Sequence, residues 1–284
     1  MQFSKGHGTE NDFVLLPDPD GTLDLTPARV AALCDRRRGL GADGVLRVVR
    51  WDALGDGPAP EPGVEWFMDY RNADGSVAEM CGNGVRVYAR YLAHVGWLAG
   101  DELALGTRGG VRTVRLDGRA VDGEISVDMG PAEVGETSTA SVDGEAFGGI
   151  AVDVGNPHLA CVTEVPIDGL DLTCPPGHDP ALFPHGVNVE FVSPVAVSSD
   201  GSDEVVMRVH ERGVGETRSC GTGTVAAVVA ALRHAGRGTG TVAVRTPGGR
   251  LRVTVDDATT VLHGPAVLVA HGELSRDWWD AAGA

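Results

Sequence analysis

The sequence predicts an α+β fold made of two related halves, and three observations carry this prediction. Short runs of apolar and β-branched residues recur between turn residues, and 41 glycines fit many tight turns. Helical patterns are fewer, and they do not alternate regularly with the strands as in a parallel α/β fold. The segment Met80–Val85 is echoed by Ser219–Thr224, and a looser echo links Asn11 with Asn156. Two echoes in the same order indicate pseudosymmetric halves.

The predicted strands are short apolar runs bounded by glycine, proline, asparagine or aspartate. They are Val45–Trp51, Val64–Asp69, Arg112–Leu116, Ile125–Met129, Ile150–Val154, Leu159–Val162, Val187–Val192, Val205–Val209, Thr241–Arg245, Leu251–Val255 and Ala266–Val269. The segment Asp52–Pro62 is rich in glycine, proline and aspartate, which predicts a surface loop.

Three helices are predicted between these strands. Thr26 can cap a helix over Pro27–Arg36, which begins with a proline. Two more helices follow Cys81 and Cys220. The last of them contains Val225–Leu232, which is apolar around its whole circumference, so we expect it to be a buried central helix.

Composition excludes several classes of partner and cofactor. A net charge of -17 and an aromatic share of 5% argue against nucleic acid and anionic membranes, which need basic patches and, for single strands, aromatic platforms. Lys5 is the only lysine, so a Schiff base with pyridoxal phosphate is not expected. The N-terminal residues lack a signal-peptide pattern and no apolar run is long enough for a membrane span, so we expect a cytoplasmic protein.

Two of the five cysteines differ from the rest in their surroundings. The odd number and the lack of a CxxC pair indicate neither a disulfide framework nor a metal site. We interpret Cys34, Cys161 and Cys174 as structural residues. Cys81 and Cys220 each begin a Cys-Gly-x-Gly turn that leads into a helix.

A thiol at a helix N-terminus faces free backbone N–H groups and the positive end of the helix dipole. We therefore expect the thiol pKa to be lowered toward neutrality at Cys81 and Cys220. If the halves face each other, the two thiols reach one carbon from opposite sides. Such a pair can invert a stereocentre, because one group removes a proton while the other delivers one. A packed structural cysteine or a redox pair remains the alternative.

The motifs around these cysteines are specific. They are Asn72–Ser76, Glu79–Arg86, Glu211–Thr217 and Ser219–Gly223, supported by Gly8–Phe13, Gly39–Gly44, Gly155–His158 and Gly186–Asn188. From residue 2 to residue 270, the chain resembles the diaminopimelate epimerase family. The resemblance implies two pseudosymmetric α+β domains, each a curled, mainly antiparallel sheet around a central helix, with the active site between them. It places one domain at residues 1–124, completed by 267–284, and the other at 125–266.

The same resemblance implies a reaction and its residues. The reaction is the cofactor-independent interconversion of LL- and meso-2,6-diaminopimelate, in lysine and peptidoglycan precursor biosynthesis, by a homodimer. Cys81 and Cys220 would be the catalytic acid and base, and His158 and Glu211 would adjust the proton affinity of the thiols. The implied substrate-binding residues are Asn11, Asn72, Gly82, Asn83, Asn156, Asn188, Glu211, Arg212, Gly221 and Thr222. Arg212 would contact the distal carboxylate.

Alternatives stay open at this point. Each asparagine can instead serve a turn, Arg212 can be an exposed partner of Glu211, and His158 can be a core residue. Family members often carry glutamine where this chain has Gly44, so no substrate role is assigned there. A proline or hydroxyproline racemase-like enzyme uses the same two-cysteine logic. A non-catalytic thiol redox or binding protein on the same scaffold is the remaining possibility.

Overall fold

The computed structural model describes residues 1–117 and 123–283. The chain divides into two compact units. Unit 1 consists of Met1–Val127 with Pro265–Ala284, and unit 2 consists of Asp128–Gly264. The division implied by the family resemblance placed these boundaries after residues 124 and 266.

Unit 1 contains one curled sheet and three helices. Its strands are β1 (Gln2–Gly8), β2 (Asn11–Pro17), β3 (Gly44–Arg50), β4 (Trp66–Asn72), β5 (Glu102–Gly106), β6 (Arg112–Leu116), the start of β7 (Ile125–Gly130) and β18 (Val267–Glu273). Its helices are α1 (Pro27–Cys34), α2 (Gly82–His94) and α4 (Arg276–Ala282), with a 3₁₀ turn at Trp51–Ala53. The strand order is β18–β1–β2–β3–β4–β5–β6–β7, antiparallel except at β2/β3 and β4/β5.

Unit 2 repeats this plan. Its strands are β8 (Glu133–Val142), β9 (Glu145–Asp153), β10 (Pro157–Val162), β11 (Asn188–Val192), β12 (Ala196–Val197), β13 (Asp203–Glu211), β14 (Gly215–Thr217), β15 (Gly240–Thr246), β16 (Gly249–Val255) and β17 (Thr260–Gly264), with helix α3 (Gly221–His234) and a 3₁₀ turn at Ile167–Gly169. The main order is β8–β9–β10–β11–β13–β15–β16–β17, antiparallel except at β10/β11 and β13/β15. The short β12 and β14 pair with β13.

The two units share one succession of strand pairings. In each, the third and fifth pairings of the eight-strand order are parallel and the others are antiparallel. Helix α2 connects the parallel pair β4 and β5, and α3 connects β13 and β15. Helix α2 packs on β18, β1 and β6, and α3 packs on strands from β9 to β17. A helix touches strands near both ends of a sheet when the sheet curls around it. The predicted α+β fold with two pseudosymmetric halves is therefore confirmed.

Both central helices are buried: α3 has no polar face, and α2 is buried together with its polar residues Asn83, Arg86 and Arg90. Residues 221–232 of α3 and residues 82–92 of α2 are all buried, and the prediction for Val225–Leu232 is confirmed. The first turns carry glycine, whose missing side chain lets neighbouring groups approach the backbone closely. No helix within the described ranges is long and apolar enough to cross a membrane.

Several elements differ from the sequence expectation. Strands β1, β2, β5, β8, β12, β14 and β17 and helix α4 were not predicted; β1 (QFSKGHG), for example, is polar and carries little hydrophobic pattern. Helix α1 ends at Cys34 instead of Arg36, since Asp35 has extended backbone (φ -61°, ψ 116°). The Thr26 cap is confirmed by a 3.3 Å bond from the Arg29 N–H to Thr26 Oγ1. Most of Asp52–Pro62 is exposed, as expected.

A buried carboxylate joins β3, β4 and the turn after β5 in unit 1. Asp69 is fully buried and lies 2.9 Å from Nε of Arg71, 2.7 Å from Nη1 of Arg108 and 3.6 Å from Nη1 of Arg47. Burial alone would raise the pKa of Asp69, but hydrogen bonds and positive charge from Arg71 and Arg108 lower it. Asp69 is therefore a charged anchor for the strands that carry the Cys81 loop.

We expect Asp69→Ala to destabilise unit 1 by about 3–5 kcal/mol, because it leaves buried guanidinium groups without their carboxylate. Urea unfolding followed by tryptophan fluorescence measures this, since all five tryptophans lie in unit 1. Glu102→Ala is the control. It removes the exposed 2.5 Å pair with Arg115 and should cost about 0–1 kcal/mol. Equal losses for the two variants would contradict the anchoring role of Asp69.

Candidate active site

Cys81 caps the N-terminus of α2. Its backbone is extended (φ -143°, ψ 116°), and the Gly84 N–H donates to the Cys81 sulfur at 3.4 Å. The thiol thus takes the position that a serine or aspartate oxygen occupies in an ordinary N-cap. A Cβ on Gly84 would lie 3.3 Å from Leu46 Cδ2 and 3.5 Å from Cys81 Cβ, so glycine keeps the cysteine and the helix end in close contact.

Asn11 and Asn83 lie next to this thiol. Asn11 Oδ1 is 3.6 Å from Cys81 Sγ and accepts a 3.2 Å hydrogen bond from Asn83 Nδ2. Asn11 begins β2 directly after a two-residue hairpin turn, Thr9–Glu10, in which both residues have positive φ (50° and 62°). This is the turn geometry that matches strand twist, although it is strained for a threonine. The turn places Asn11 opposite the start of α2.

Asn72 does not join this cluster by any hydrogen bond that the structure shows. Its side chain donates to Ser76 Oγ at 3.0 Å, and its carbonyl accepts from the Gly75 N–H at 2.9 Å. Asn72 thus organises the turn that leads to the Cys81 loop. The glycine of α2 that was predicted to bind substrate, Gly82, is the first residue of the helix.

Cys220 caps α3 in the same way. Its backbone is extended (φ -120°, ψ 121°), the Gly223 N–H lies 3.4 Å from Sγ, and Thr222 Oγ1 lies 3.6 Å from Sγ. Gly221 is the first helical residue. The thiol is 7% exposed and therefore more enclosed than the half-buried Cys81. Both cysteines with their Gly-x-Gly turns thus have equivalent places in the two units.

The expected lowering of the thiol pKa is wrong for Cys220. Burial raises the pKa of Cys220 well above its usual value, and the negative charges of Glu211 and Glu190 raise it further. The Gly223 N–H and the Thr222 hydroxyl act in the opposite direction and are outweighed. Desolvation depends on the residues that cover a group in the fold, so a helix N-terminus seen in the sequence does not decide the sign. Burial and the two carboxylates thus favour the protonated form of Cys220.

Glu190 is a site residue that the sequence analysis missed. It is fully buried on β11, with Oε1 2.7 Å from Nδ1 of His158, whose Nε2 lies 3.1 Å from Asn156 Oδ1. Burial raises the pKa of Glu190 although His158 opposes this. A Cβ on Gly223 would lie only 2.6 Å from Glu190 Oε1, so the carboxyl group reaches the first turn of α3. A charged residue inside the apolar run Val187–Val192 is the signal that could have found it.

Asn188, Glu211 and Arg212 gather at the ends of β11 and β13. Asn188 Oδ1 accepts from the Arg212 backbone N–H at 2.9 Å, and its Nδ2 donates to Pro157 O at 3.2 Å. Glu211 accepts a hydrogen bond from the Thr217 hydroxyl. The Arg212 side chain is exposed, with Nη1 3.3 Å from His185 O.

Gly44 is the position at which the chain departs from the family pattern, and its neighbours in the structure account for the glycine. It lies beside Asn72 in the β3/β4 register, at the start of the strand that corresponds to β11 in unit 2. A Cβ at this position would lie 2.6 Å from Cε2 of Tyr70 and 2.5 Å from Arg71 O. The Tyr70 ring therefore fills the space that a side chain at position 44 would need.

The remaining cysteines have no part in either cluster. Burial raises the pKa of Cys34 and of Cys161 to about 12, which makes them inert thiols, as predicted. Cys174 is exposed, so a packing role is wrong for it. Within residues 1–117 and 123–283, no cluster of histidine, cysteine, aspartate and glutamate is arranged to hold a metal ion.

Glu190→Gln should lower the pKa of Cys220, because the substitution removes a negative charge that disfavours the thiolate. Measuring iodoacetamide labelling of the Cys220 peptide across a pH series should show half-maximal reactivity at a lower pH. Glu164→Gln, an exposed change in the same unit, should leave the Cys220 profile in place. An unchanged or raised profile in Glu190→Gln would contradict this electrostatic account.

Comparisons with known proteins find relatives that match nearly the whole chain. A family model described as diaminopimelate epimerase matches residues 3–135 and 150–269. A diaminopimelate epimerase of Rhodococcus erythropolis is 57% identical over 99% of this chain and 98% of its own length. One of Mycolicibacterium smegmatis is 57% identical over 99% of both chains. Among solved structures, a probable proline racemase from Agrobacterium radiobacter shares the fold, with a TM-score of 0.68, 14% identity and coverage of 97% and 93%.

Proposed function

Because the chain belongs to the diaminopimelate epimerase family, we propose that it interconverts LL- and meso-diaminopimelate through the thiols of Cys81 and Cys220. The activity is that of an amino-acid epimerase, an isomerase that works without pyridoxal phosphate. One observation carries the mechanistic part of the proposal. Each unit presents a single cysteine as the N-cap of its central buried helix, with the same backbone donor at the same distance of 3.4 Å.

This arrangement suits proton transfer in both directions. One thiolate removes the α-proton from one face of the carbon while the other thiol delivers a proton to the opposite face. In the reverse direction the roles exchange, which requires groups of the same type. The carbanion-like α-carbon needs charge stabilisation at its carboxylate. The N–H groups of the two helix first turns, Gly82–Asn83 and Gly221–Thr222, supply fixed dipoles for that purpose.

The remaining polar residues fit a substrate with a second charged end. We assign the exposed guanidinium of Arg212 to the distal carboxylate. Asn72, Asn156 and Asn188 would supply amide groups to the distal end, and Asn11 would act near the reacting centre. His158, paired with Glu190, and Glu211 would set the proton affinity of Cys220.

The pathway, the cellular location, the oligomeric state and the partners of the enzyme are also part of the proposal. The reaction belongs to lysine and peptidoglycan precursor biosynthesis, which places the protein in the cytoplasm. The family resemblance supports a homodimer, and the net charge of -17 supports a small-molecule substrate without nucleic acid or membrane partners.

Cys81→Ala and Cys220→Ala should each reduce epimerisation by at least about 10²–10⁴-fold, the typical contribution of a positioned acid or base. The assay is deuterium incorporation at Cα of LL-diaminopimelate in D₂O, combined with chiral separation of the product. Cys174→Ala is the matched control, because this thiol is exposed and outside both clusters, and it should keep wild-type turnover. Normal turnover by either single variant would rule out the two-thiol mechanism.

The same assay separates the alternatives. Wild-type protein that racemises proline or hydroxyproline, and leaves diaminopimelate unchanged, would refute the substrate assignment. Protein that exchanges no α-proton on any of these compounds would favour a binding or redox role.

A further inference from the structure

The Cys81 cluster contains a chain of hydrogen bonds with fixed polarity. Arg86 Nη2 donates to Asn83 Oδ1 at 2.9 Å, and Asn83 Nδ2 donates to Asn11 Oδ1 at 3.2 Å. Asn11 Nδ2 in turn donates to Asp43 Oδ2 at 2.8 Å. Two side-chain amides thus lie between a cation at one end and a carboxylate at the other.

The two ends decide which way each amide points. A guanidinium only donates hydrogen bonds and an ionised carboxylate only accepts them. Asn83 must therefore turn its oxygen to Arg86, and Asn11 must turn its NH₂ group to Asp43. Turning either amide around would place two donors, or two acceptors, against each other. The consequence is that Asn11 presents an oxygen, not an NH₂ group, to Cys81 Sγ at 3.6 Å.

Both ends are themselves held by several contacts. Arg86 is completely buried, and its other nitrogen contacts are Gly82 O at 3.4 Å, Thr9 Oγ1 at 3.3 Å and Pro265 O at 3.3 Å. Burial lowers the pKa of Arg86 to about 10, so the side chain remains a cation at neutral pH. The contact with Thr9 also supports the strained turn that precedes Asn11.

Asp43 is held on the opposite side. Its Oδ1 accepts from Arg36 Nη2 at 2.8 Å, and its Oδ2 also accepts from the Asp12 backbone N–H at 3.1 Å. One carboxylate therefore fixes both the backbone and the side chain at the start of β2.

We propose that Asp43 and Arg86 are positioning residues, which fix the Asn11 amide with its oxygen toward Cys81 and thereby favour the protonated, proton-donating form of that thiol. Neither residue was assigned a role by the sequence. An amide oxygen accepts a hydrogen bond from S–H but repels a thiolate, whereas an amide NH₂ group would stabilise the thiolate. The orientation of this amide thus raises the proton affinity of Cys81, whereas the Gly84 N–H and the positive charge of Arg86 lower it.

Further charged groups lie around this chain of hydrogen bonds. Arg86 on α2 interacts electrostatically with Cys81 and stabilises the thiolate. Asp12 on β2 pairs with Lys5 on β1 at 2.5 Å and with Arg36 at 2.8 Å. Burial opposes the ionisation of Asp12, but these two cations lower its pKa to about 2. Asp12 makes no side-chain bond to Asn11 among the described contacts, which makes it a matched control for Asp43.

The test is the pH dependence of Cys81 alkylation, read by mass spectrometry of its peptide. Asp43→Asn removes the charged acceptor that holds the Asn11 NH₂ group, so only the hydrogen bond from Asn83 still favours the orientation with the oxygen toward the sulfur. We expect the midpoint for Cys81 to fall by about one pH unit, the size of an ordinary environmental shift. Asp43→Glu keeps an acceptor-only end group and should restore the midpoint toward the wild-type value.

Asp12→Asn, which breaks neighbouring ion pairs, should leave the Cys81 midpoint unchanged. Tryptophan fluorescence reports in the same samples whether unit 1 is folded, since all five tryptophans lie in it. An equal shift in Asp12→Asn and Asp43→Asn, or no shift in a folded Asp43→Asn protein, would overturn the proposal.

A second variant keeps the proposal testable if Asp43→Asn does not fold. Asn11→Ala removes the amide oxygen itself, so the midpoint should fall, and adding Asp43→Asn to it should have no further effect. An unchanged midpoint in Asn11→Ala would overturn the proposal.

This inference rests on the proposed function for its catalytic meaning, but the alkylation profile needs no turnover. A protein that shows the shift and fails to epimerise diaminopimelate would refute only the function. A protein that epimerises diaminopimelate and does not show the shift would refute only the positioning role.

Discussion

The contact on which both sites depend is a hydrogen bond from a backbone N–H in the first turn of a helix to a cysteine sulfur. The two bonds, from Gly84 and Gly223, have the same length of 3.4 Å. They require a glycine at the third helical position and an extended cysteine before the helix. They also require the helix to be buried, because only a helix enclosed by its own sheet keeps its N-terminal dipole from being screened by water. Strand order, helix burial and the Gly-x-Gly turns all serve this contact.

The two units share a backbone plan and differ in the polar groups around their sulfurs. Around Cys220, burial and two carboxylates keep the proton on the thiol. Around Cys81, the polar neighbours are two amides that end on a buried arginine and a carboxylate. Equivalent positions thus carry different chemistry: in the strand registers, Asn188 of unit 2 stands where unit 1 has Gly44.

The sequence predicted those features that local chemistry determines. The repeated Cys-Gly-x-Gly turns, the apolar helix Val225–Leu232 and the Thr26 cap depend on neighbouring residues, and all are present. Strand β1 was missed because its partners, β2 and β18, supply the burial that its own polar sequence does not show. Glu190 was missed, and the direction of the Cys220 shift was wrong, for a related reason. Both depend on which distant residues cover a group: the apolar run Val187–Val192 indicates that Glu190 is buried, but it does not show that Glu190 lies beside Cys220.

The pairing of β1 with β18 closes the sheet of unit 1 with the last strand of the chain. Gln2 stands opposite Glu273 and His7 opposite Val267, whereas strands β8 to β16 of unit 2 pair with strands between residues 133 and 264. Forming contacts across such a separation carries the largest loop-closure cost in the molecule and slows folding. During synthesis, unit 2 can complete its sheet first, while the edge of β1 stays unpaired until β18 (Val267–Glu273) has left the ribosome. Cys81 is synthesised before Cys220, but the sheet around its helix is therefore completed later.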